Sequence, residues 1–113
     1  NDNGYDVVFE QQLRNLGESG DLVFAISASG KSPNVVKALR YAKQSQMKIA
    51  GMTGFSGGAV KDLSDCCVHV EIPVKSNSAW HVRSSTADYG MIENMHMIVV
   101  HLIIATIVQR LNH

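Results

Sequence analysis

A serine-rich segment between an apolar run and a helical pattern is the part of the sequence best suited to chemistry. The apolar run 22–26 predicts a buried strand, and Pro33 opens a pattern with helical spacing. Between them stand Ser27, Ser29, Gly30 and Ser32. Serine hydroxyls and the unpaired N–H groups at the start of a helix both donate hydrogen bonds to anions. The segment therefore predicts a binding site for a small anion, and phosphate is the obvious candidate.

Ser32 has a second interpretation, because serine is also a favoured residue at the N-cap of a helix. It directly precedes Pro33, and proline is common at the first position of a helix. For Ser32 alone, capping and anion binding are equally well supported. The pattern of three serines beside a glycine is more specific than any one of them, and it favours the anion site.

The serine segment resembles the phosphosugar-binding loop of SIS (sugar isomerase) domains. A strand is followed by Ser-x-Ser-Gly-x-Ser-Pro-Asn, and the continuation 35–43 is similar to the phosphoheptose isomerase branch of that family. The resemblance implies that Ser27, Ser29, Ser32 and Gly30 bind the phosphate of a sugar phosphate.

The resemblance covers nearly the whole chain, 1–113, as a single, partial SIS domain. It implies a three-layer α/β/α fold around a parallel, doubly wound, flavodoxin-like sheet. The chain matches only the middle and C-terminal part of the family, so its N-terminal strand and helices are expected to be missing. The chain begins at Asn1 without a methionine, which also favours a piece of a longer protein.

Apolar spacing along the chain predicts alternating helices and strands. The predicted helices are 5–16, 33–46, 59–64 and 91–108, and the predicted strands are 22–26, 48–53 and 66–72. Strands that alternate with helices pair in parallel through right-handed crossovers. The polar stretch 75–90 is predicted to be a surface loop.

The last predicted helix, 91–108, is apolar on nearly every side and has about the length of a transmembrane span. Its first half contains Glu93, Asn94, His96 and His101, which are costly in hydrocarbon. We therefore expect a core or interface helix and no membrane partner. SIS domains commonly associate through such helices, so the resemblance implies a homodimer or homotetramer.

Glu93 and His101 are eight residues apart, roughly on one side of this helix. The segment 92–101 resembles the Ile-Gln-Glu-x-His-x-x-x-x-His segment of phosphoheptose isomerases, with Glu93 in place of the glutamine and Asn94 in place of the glutamate. The resemblance implies that His101 acts in acid–base catalysis or binds a metal, zinc being the possible cofactor, with Glu93 as a second ligand or a base. His96 is expected to be a core residue.

Charge and cysteine content narrow the possible partners and the compartment. Ten basic and ten acidic side chains balance, so no overall field attracts nucleic acid. Cys66 and Cys67 are neighbours that rarely bridge and lack metal-type spacing, and the amino terminus carries no recognisable signal peptide. A cytoplasmic protein is the simplest expectation.

Three functions from different classes follow from these patterns. The first is a phosphoheptose isomerase, which converts sedoheptulose 7-phosphate to D-glycero-D-manno-heptose 7-phosphate, with this chain alone inactive because half of the site is absent. The second is a non-catalytic domain that binds a sugar phosphate and regulates another protein. The third is a SIS protein that associates with the replication initiator.

Overall fold

The computed structural model describes the backbone of residues 4–71 and 85–112, and the side chains of 4–71 and 90–112. The chain divides into two compact units, Asn1–Glu71 and Ile72–His113. In the first unit, a 3-10 turn at Tyr5–Val7 leads into α1 (Val8–Leu16), followed by β1 (Leu22–Ser27), α2 (Pro33–Gln44), β2 (Lys48–Gly54), α3 (Gly58–Leu63) and β3 (Cys66–Val70). The second unit contains α4 (Ser85–Leu111).

The three strands form a parallel sheet in the order β1-β2-β3, so strands that follow one another in sequence are also neighbours in space. Ser27 pairs with Thr53, and Thr53 pairs with His69. Parallel strands with flanking helices are the arrangement that the sequence predicts for a three-layer α/β/α fold, and the predicted fold class is confirmed.

The core of the first unit lies between one face of the sheet and the helices α1, α2 and α3. Side chains alternate across a strand, so every second residue of β1 and β2 faces these helices. The fully buried members are Leu39 and Ala42 from α2, Ile49 from β2 and Val60 from α3, with Leu13 of α1 packed at the margin. This core fixes the ends of the strands relative to the start of α2.

The predicted helices and strands are found with small shifts at their ends. The loop predicted over 75–90 is wrong for its last six residues, because α4 already begins at Ser85. The prediction weighed polarity alone, and polar residues are well tolerated at the start of a helix, where acidic groups such as Asp88 favour the helix dipole. Residues 75–84 of that segment lie outside the described part of the chain.

Helix α4 is mostly exposed in spite of its apolar sequence. Among the side chains described for α4, from residue 90 onward, those of Ile92 and His96 are buried, at 1% and 3% exposed, and lie one turn apart. Exposed large apolar side chains cover the rest of the helix: Met91, Met95, Met97, Ile98, Leu102, Ile104, Ile107, Val108 and Leu111. By length and composition, Gly90–Leu111 could cross a membrane. The apolar surface predicted from the sequence is thus present, and most of it is uncovered.

Candidate functional site

The loop 28–32, called the serine loop below, joins the end of β1 to the start of α2. Its serines were the residues that the sequence predicted as an anion site, and the structure brings all of them together. Ser27 is the last residue of β1 and is 5% exposed, whereas Ser29 and Ser32 are half-buried. The carboxyl ends of parallel strands and the amino end of a following helix meet in this region, which is where open α/β sheets bind ligands.

Backbone N–H groups of the serine loop are hydrogen-bonded to serine hydroxyls. The Gly30 N–H donates to Ser27 Oγ at 3.1 Å, and the Lys31 N–H donates to Ser29 Oγ at 3.1 Å. A hydroxyl group has one proton to donate and two lone pairs to accept with. Ser27 and Ser29 each accept one bond from the backbone, and Ser29 keeps its proton to donate. Ser27 also shares a hydrogen bond with Ser32, so one of these two hydroxyls keeps a proton for a ligand. This arrangement suits a ligand that only accepts hydrogen bonds, such as a phosphate oxygen.

The two interpretations of Ser32 are separated by its contacts. It occupies the N-cap position of α2, yet its side chain makes no capping hydrogen bond within the described chain. Its hydroxyl lies 3.1 Å from Ser27 Oγ, on the side of the serine loop. The backbone of Ser32 begins the helix, whereas its hydroxyl belongs to the same cluster as Ser27.

A second loop, residues 54–58, holds the serine loop from the side of β2 and is called the glycine turn below. The Gly54 N–H donates to the Ala28 carbonyl at 2.7 Å, and the Val60 N–H donates to the Gly30 carbonyl at 3.0 Å. No function is predicted for this turn from the sequence. Its signal was the Gly-Gly pair at Gly57 and Gly58, which marks a backbone that needs unusual dihedral angles.

Thr53 and His69 are further polar residues at this edge of the sheet that sequence reasoning missed. They lie in register with Ser27, one on each successive strand. Thr53 is fully buried, and its Oγ1 lies 2.8 Å from His69 Nδ1 and 3.4 Å from Cys67 Sγ. His69 Nε2 lies 3.9 Å from the Glu71 carboxylate. Alternation within β2 and within β3 determines the face on which Thr53 and His69 each lie. Only the register of the strands shows that both residues line up with Ser27.

The residues predicted to do catalysis lie in the other unit, on α4. Glu93 and His101 are both exposed, whereas His96 is buried, as expected for a core residue. Eight residues of helix separate Glu93 from His101, a rise of about 12 Å between their Cα atoms.

Zinc does not fit the donors that α4 offers. Structural and catalytic zinc sites need three or four ligands at about 2 Å. Glu93 and His101 supply two, spaced about 12 Å apart along the helix. No group of three or more His, Cys, Asp or Glu side chains suited to a metal ion occurs within residues 4–71 and 90–112. The described residues therefore form no zinc site by themselves.

Comparison with known proteins places this fold and this loop in a family. Residues 7–101 match the SIS domain. The chain belongs to the SIS domain family. Phosphoheptose isomerases are among its similar relatives: the protein from Aliarcobacter butzleri is 37% identical over 100% of this chain, and the protein from Maridesulfovibrio salexigens is 39% identical over 90% of it.

Solved structures of the SIS family show the same architecture. A phosphoheptose isomerase from Neisseria gonorrhoeae is 31% identical, with a TM-score of 0.73 over 96% of this chain, and one from Francisella tularensis is 28% identical, with a TM-score of 0.64 over 88%. The chain spans 52% of the Aliarcobacter protein and 43% of the Maridesulfovibrio protein. It spans 53% of the Neisseria structure and 46% of the Francisella structure. The predicted family and the predicted partial match to it are both confirmed.

Proposed function

We propose that this chain is the phosphosugar-binding part of a SIS isomerase that acts on a phosphorylated heptose. The substrate pair would be sedoheptulose 7-phosphate and D-glycero-D-manno-heptose 7-phosphate. The observation that carries the proposal is the serine loop with Ser27: Ser27 and Ser29 each accept a backbone N–H, so Ser29 and one hydroxyl of the Ser27–Ser32 pair have a proton to donate to an anion. The similarity to phosphoheptose isomerases over 90–100% of the chain supports this substrate class.

Both units of the chain are proposed to belong to one SIS domain. The family match, residues 7–101, extends from the first unit through the first half of α4. In this domain Ser27, Ser29, Ser32 and Gly30 hold the phosphate. The positive end of the α2 dipole and the exposed Lys31 favour the dianion at that position.

His101 is proposed as the acid–base residue of the reaction. Aldose–ketose isomerisation through an enediol needs a group that moves a proton between adjacent carbons and a group that polarises the carbonyl. Histidine is the side chain most often used for proton transfer in enzymes, because imidazole can both take up and release a proton. Glu93, about 12 Å away along α4, serves a different part of the ligand. No step is assigned to zinc, because the described donors do not fit it.

We propose that a second copy of the chain covers the exposed apolar side of α4, in a homodimer or homotetramer in the cytoplasm. A helix that is apolar on every side is stable in water only when another surface covers it. Glu93 and His101 stand among the exposed residues of this helix and would be expensive in lipid.

Ile104 is 53% exposed and lies well away from Ile92 and His96. Replacing Ile104 with lysine should therefore break the oligomer, which light scattering measures. A soluble monomer of the parent chain would show that no second copy is needed, and capture of the parent by lipid vesicles would favour the membrane.

The phosphate site is tested by binding of sedoheptulose 7-phosphate to serine variants in calorimetry. Ser29→Ala should weaken binding by about 1.5–3 kcal/mol, the usual contribution of a hydrogen bond to a charged group. The double variant Ser27→Ala, Ser29→Ala should lose most of its affinity for sedoheptulose 7-phosphate. Ser45→Ala is the matched control, since Ser45 lies at the opposite end of α2. Unchanged affinity in the double variant would exclude the serine loop as the phosphate site.

The catalytic part of the proposal is tested by supplying the missing half of the family's length. The 113-residue chain alone should not interconvert the two heptose phosphates, whereas the longer protein should. In the longer protein, His101→Asn should remove most turnover and leave sugar-phosphate binding nearly unchanged. Binding without turnover in the longer parent protein would instead favour the second candidate, a regulatory domain that binds a sugar phosphate. That candidate is already favoured by Glu93 and Asn94, which replace the glutamine and the glutamate of phosphoheptose isomerases.

A further inference from the structure

Backbone atoms of the serine loop and of the glycine turn touch directly. Both carbonyls that separate the loop's hydroxyl groups, those of Ala28 and Gly30, accept hydrogen bonds from the far side, from Gly54 and Val60 at 2.7 and 3.0 Å. The loop backbone is therefore held between its own strand and residues from β2 and α3. Any shift of the glycine turn moves the groups that carry Ser29 and Lys31.

The contact is close enough that neither side tolerates a Cβ atom. Gly58 has φ of +52°, and a Cβ at this residue would lie 2.6 Å from the Gly30 carbonyl oxygen and 2.7 Å from Lys31 Cγ. Gly30 has φ of +69°, and its Cβ would overlap the Gly57 carbonyl. Carbonyl oxygens of a hydrogen-bonded backbone cannot withdraw as a flexible side-chain end can. A side chain at Gly58 must therefore displace the serine loop.

We propose that Gly58 is a positioning residue for the phosphate, acting through the serine loop without touching the ligand itself. This inference rests on the function proposed above and adds a second loop to its binding site. The glycine turn sets where the Gly30 and Lys31 N–H groups lie, and these N–H groups set where the Ser27 and Ser29 hydroxyls point. A displacement of a few tenths of an ångström at Gly30 misaligns several donors together.

Gly58→Ala in the 113-residue chain tests this, with inorganic phosphate as the titrant and NMR shifts of the serine-loop amides as the readout. The dissociation constant should rise by at least about tenfold, the result of misaligning more than one charge-assisted hydrogen bond. Gly20→Ala is the matched control. Gly20 also has positive φ, +90°, but nothing lies within 4 Å of the Cβ it would gain. Its variant also places an alanine at positive φ, and it should bind phosphate as the parent does.

Gly57→Ala separates the loop contact from a general effect on the turn. Gly57 has φ of +82°, and its Cβ would press on the Lys61 side chain of α3 and not on the serine loop. Its phosphate affinity should fall less than that of Gly58→Ala. Equal losses in the two variants, or an unchanged affinity in folded Gly58→Ala, would overturn the positioning role.

Hydrogen exchange on the parent chain gives a test that no folding defect can obscure. Coupling between two sites is reciprocal, so phosphate bound by the serine loop must steady the bonds that position the loop. Added inorganic phosphate should slow exchange of the Gly54 and Val60 amides. The Lys48 amide, which donates to the Asp21 carbonyl at the other end of the strands, should be unaffected. Slowing confined to Gly30 and Lys31 would contradict the proposal and leave the phosphate site intact, whereas no phosphate binding by the parent would remove both proposals.

Discussion

The first unit and α4 differ in how much of their apolar surface is buried. In the first unit, residues of α2, α3 and β2 are 0–1% exposed within a core of their own. In α4, nine large apolar side chains are between 46% and 79% exposed. The first unit meets the need for a core within about seventy residues of sequence, and α4 does not.

The difference shows where each region's stability comes from. An exposed apolar side chain gains nothing from the hydrophobic effect until another surface removes it from water. The buried core of the first unit should therefore stabilise it without a partner, although eight of its large apolar side chains are also 39–79% exposed. The order of α4 should depend on what covers it.

The largest effect should come from the pair Leu39→Ala and Leu102→Ala. Leu39 is fully buried, so truncation should lower the free energy of unfolding by about 2–5 kcal/mol, from lost burial and the cavity left behind. Leu102 is 62% exposed, so its truncation should leave that free energy nearly unchanged and weaken self-association instead. Urea unfolding followed by circular dichroism at two protein concentrations measures both. Equal losses of stability in the two variants would erase the contrast between the regions.

A smaller effect is expected at Asp65, which forms two hydrogen bonds with the backbone of Ile49. The Asp65 carboxylate accepts the Ile49 N–H at 2.7 Å, and the Asp65 N–H donates to the Ile49 carbonyl at 2.8 Å. Asp65→Ala leaves the Ile49 N–H without its acceptor and should cost about 1–2 kcal/mol of unfolding free energy. Asp65→Asn keeps an acceptor oxygen and should cost less. If the alanine and asparagine variants unfold at the same urea concentration, the hydrogen bond contributes little.

The smallest effect should come from the ion pair between Asp6 and Lys37 on the surface of the first unit. The hydrogen bond from Lys37, reinforced by its charge, lowers the pKa of Asp6 from its ordinary 3.8. A depressed carboxyl pKa stabilises the folded state above the unfolded value, and this stabilisation disappears as pH falls through the folded pKa. Asp6→Asn should therefore be slightly less stable than the parent at pH 7 and equal to it at pH 2. Both side chains are nearly half exposed, so salt should reduce the difference.

The sequence predicted much of the first unit because its signals are local. Apolar spacing placed the helices and strands, and alternation of strands with helices predicted parallel pairing. Ser27, Ser29 and Ser32 were grouped correctly because they are neighbours along the chain. Their predicted role in phosphate binding remains a prediction, as do the roles of Glu93 and His101.

The features that were missed depend on distances between parts of the chain that are far apart in sequence. That Thr53 and His69 stand beside Ser27 follows from strand register, which no single segment encodes. The contact between Gly58 and Gly30 depends on the packing of two loops. Cys66 lies in an apolar run and is nevertheless exposed, because alternation along β3 places it on the opposite face from Cys67. The start of α4 at Ser85 was missed because polar composition was taken as evidence against a helix.

The order of the strands also affects how the sheet can assemble. Leu22 pairs with Lys48, and Ala50 pairs with Cys66, so each new strand joins the one made just before it, after a connection of modest length. Closing such loops costs little chain entropy, and that cost rises slowly with length. The first unit can therefore form strand by strand as the chain leaves the ribosome. The serine loop would then be in place, with its hydroxyls oriented, before α4 is free to fold.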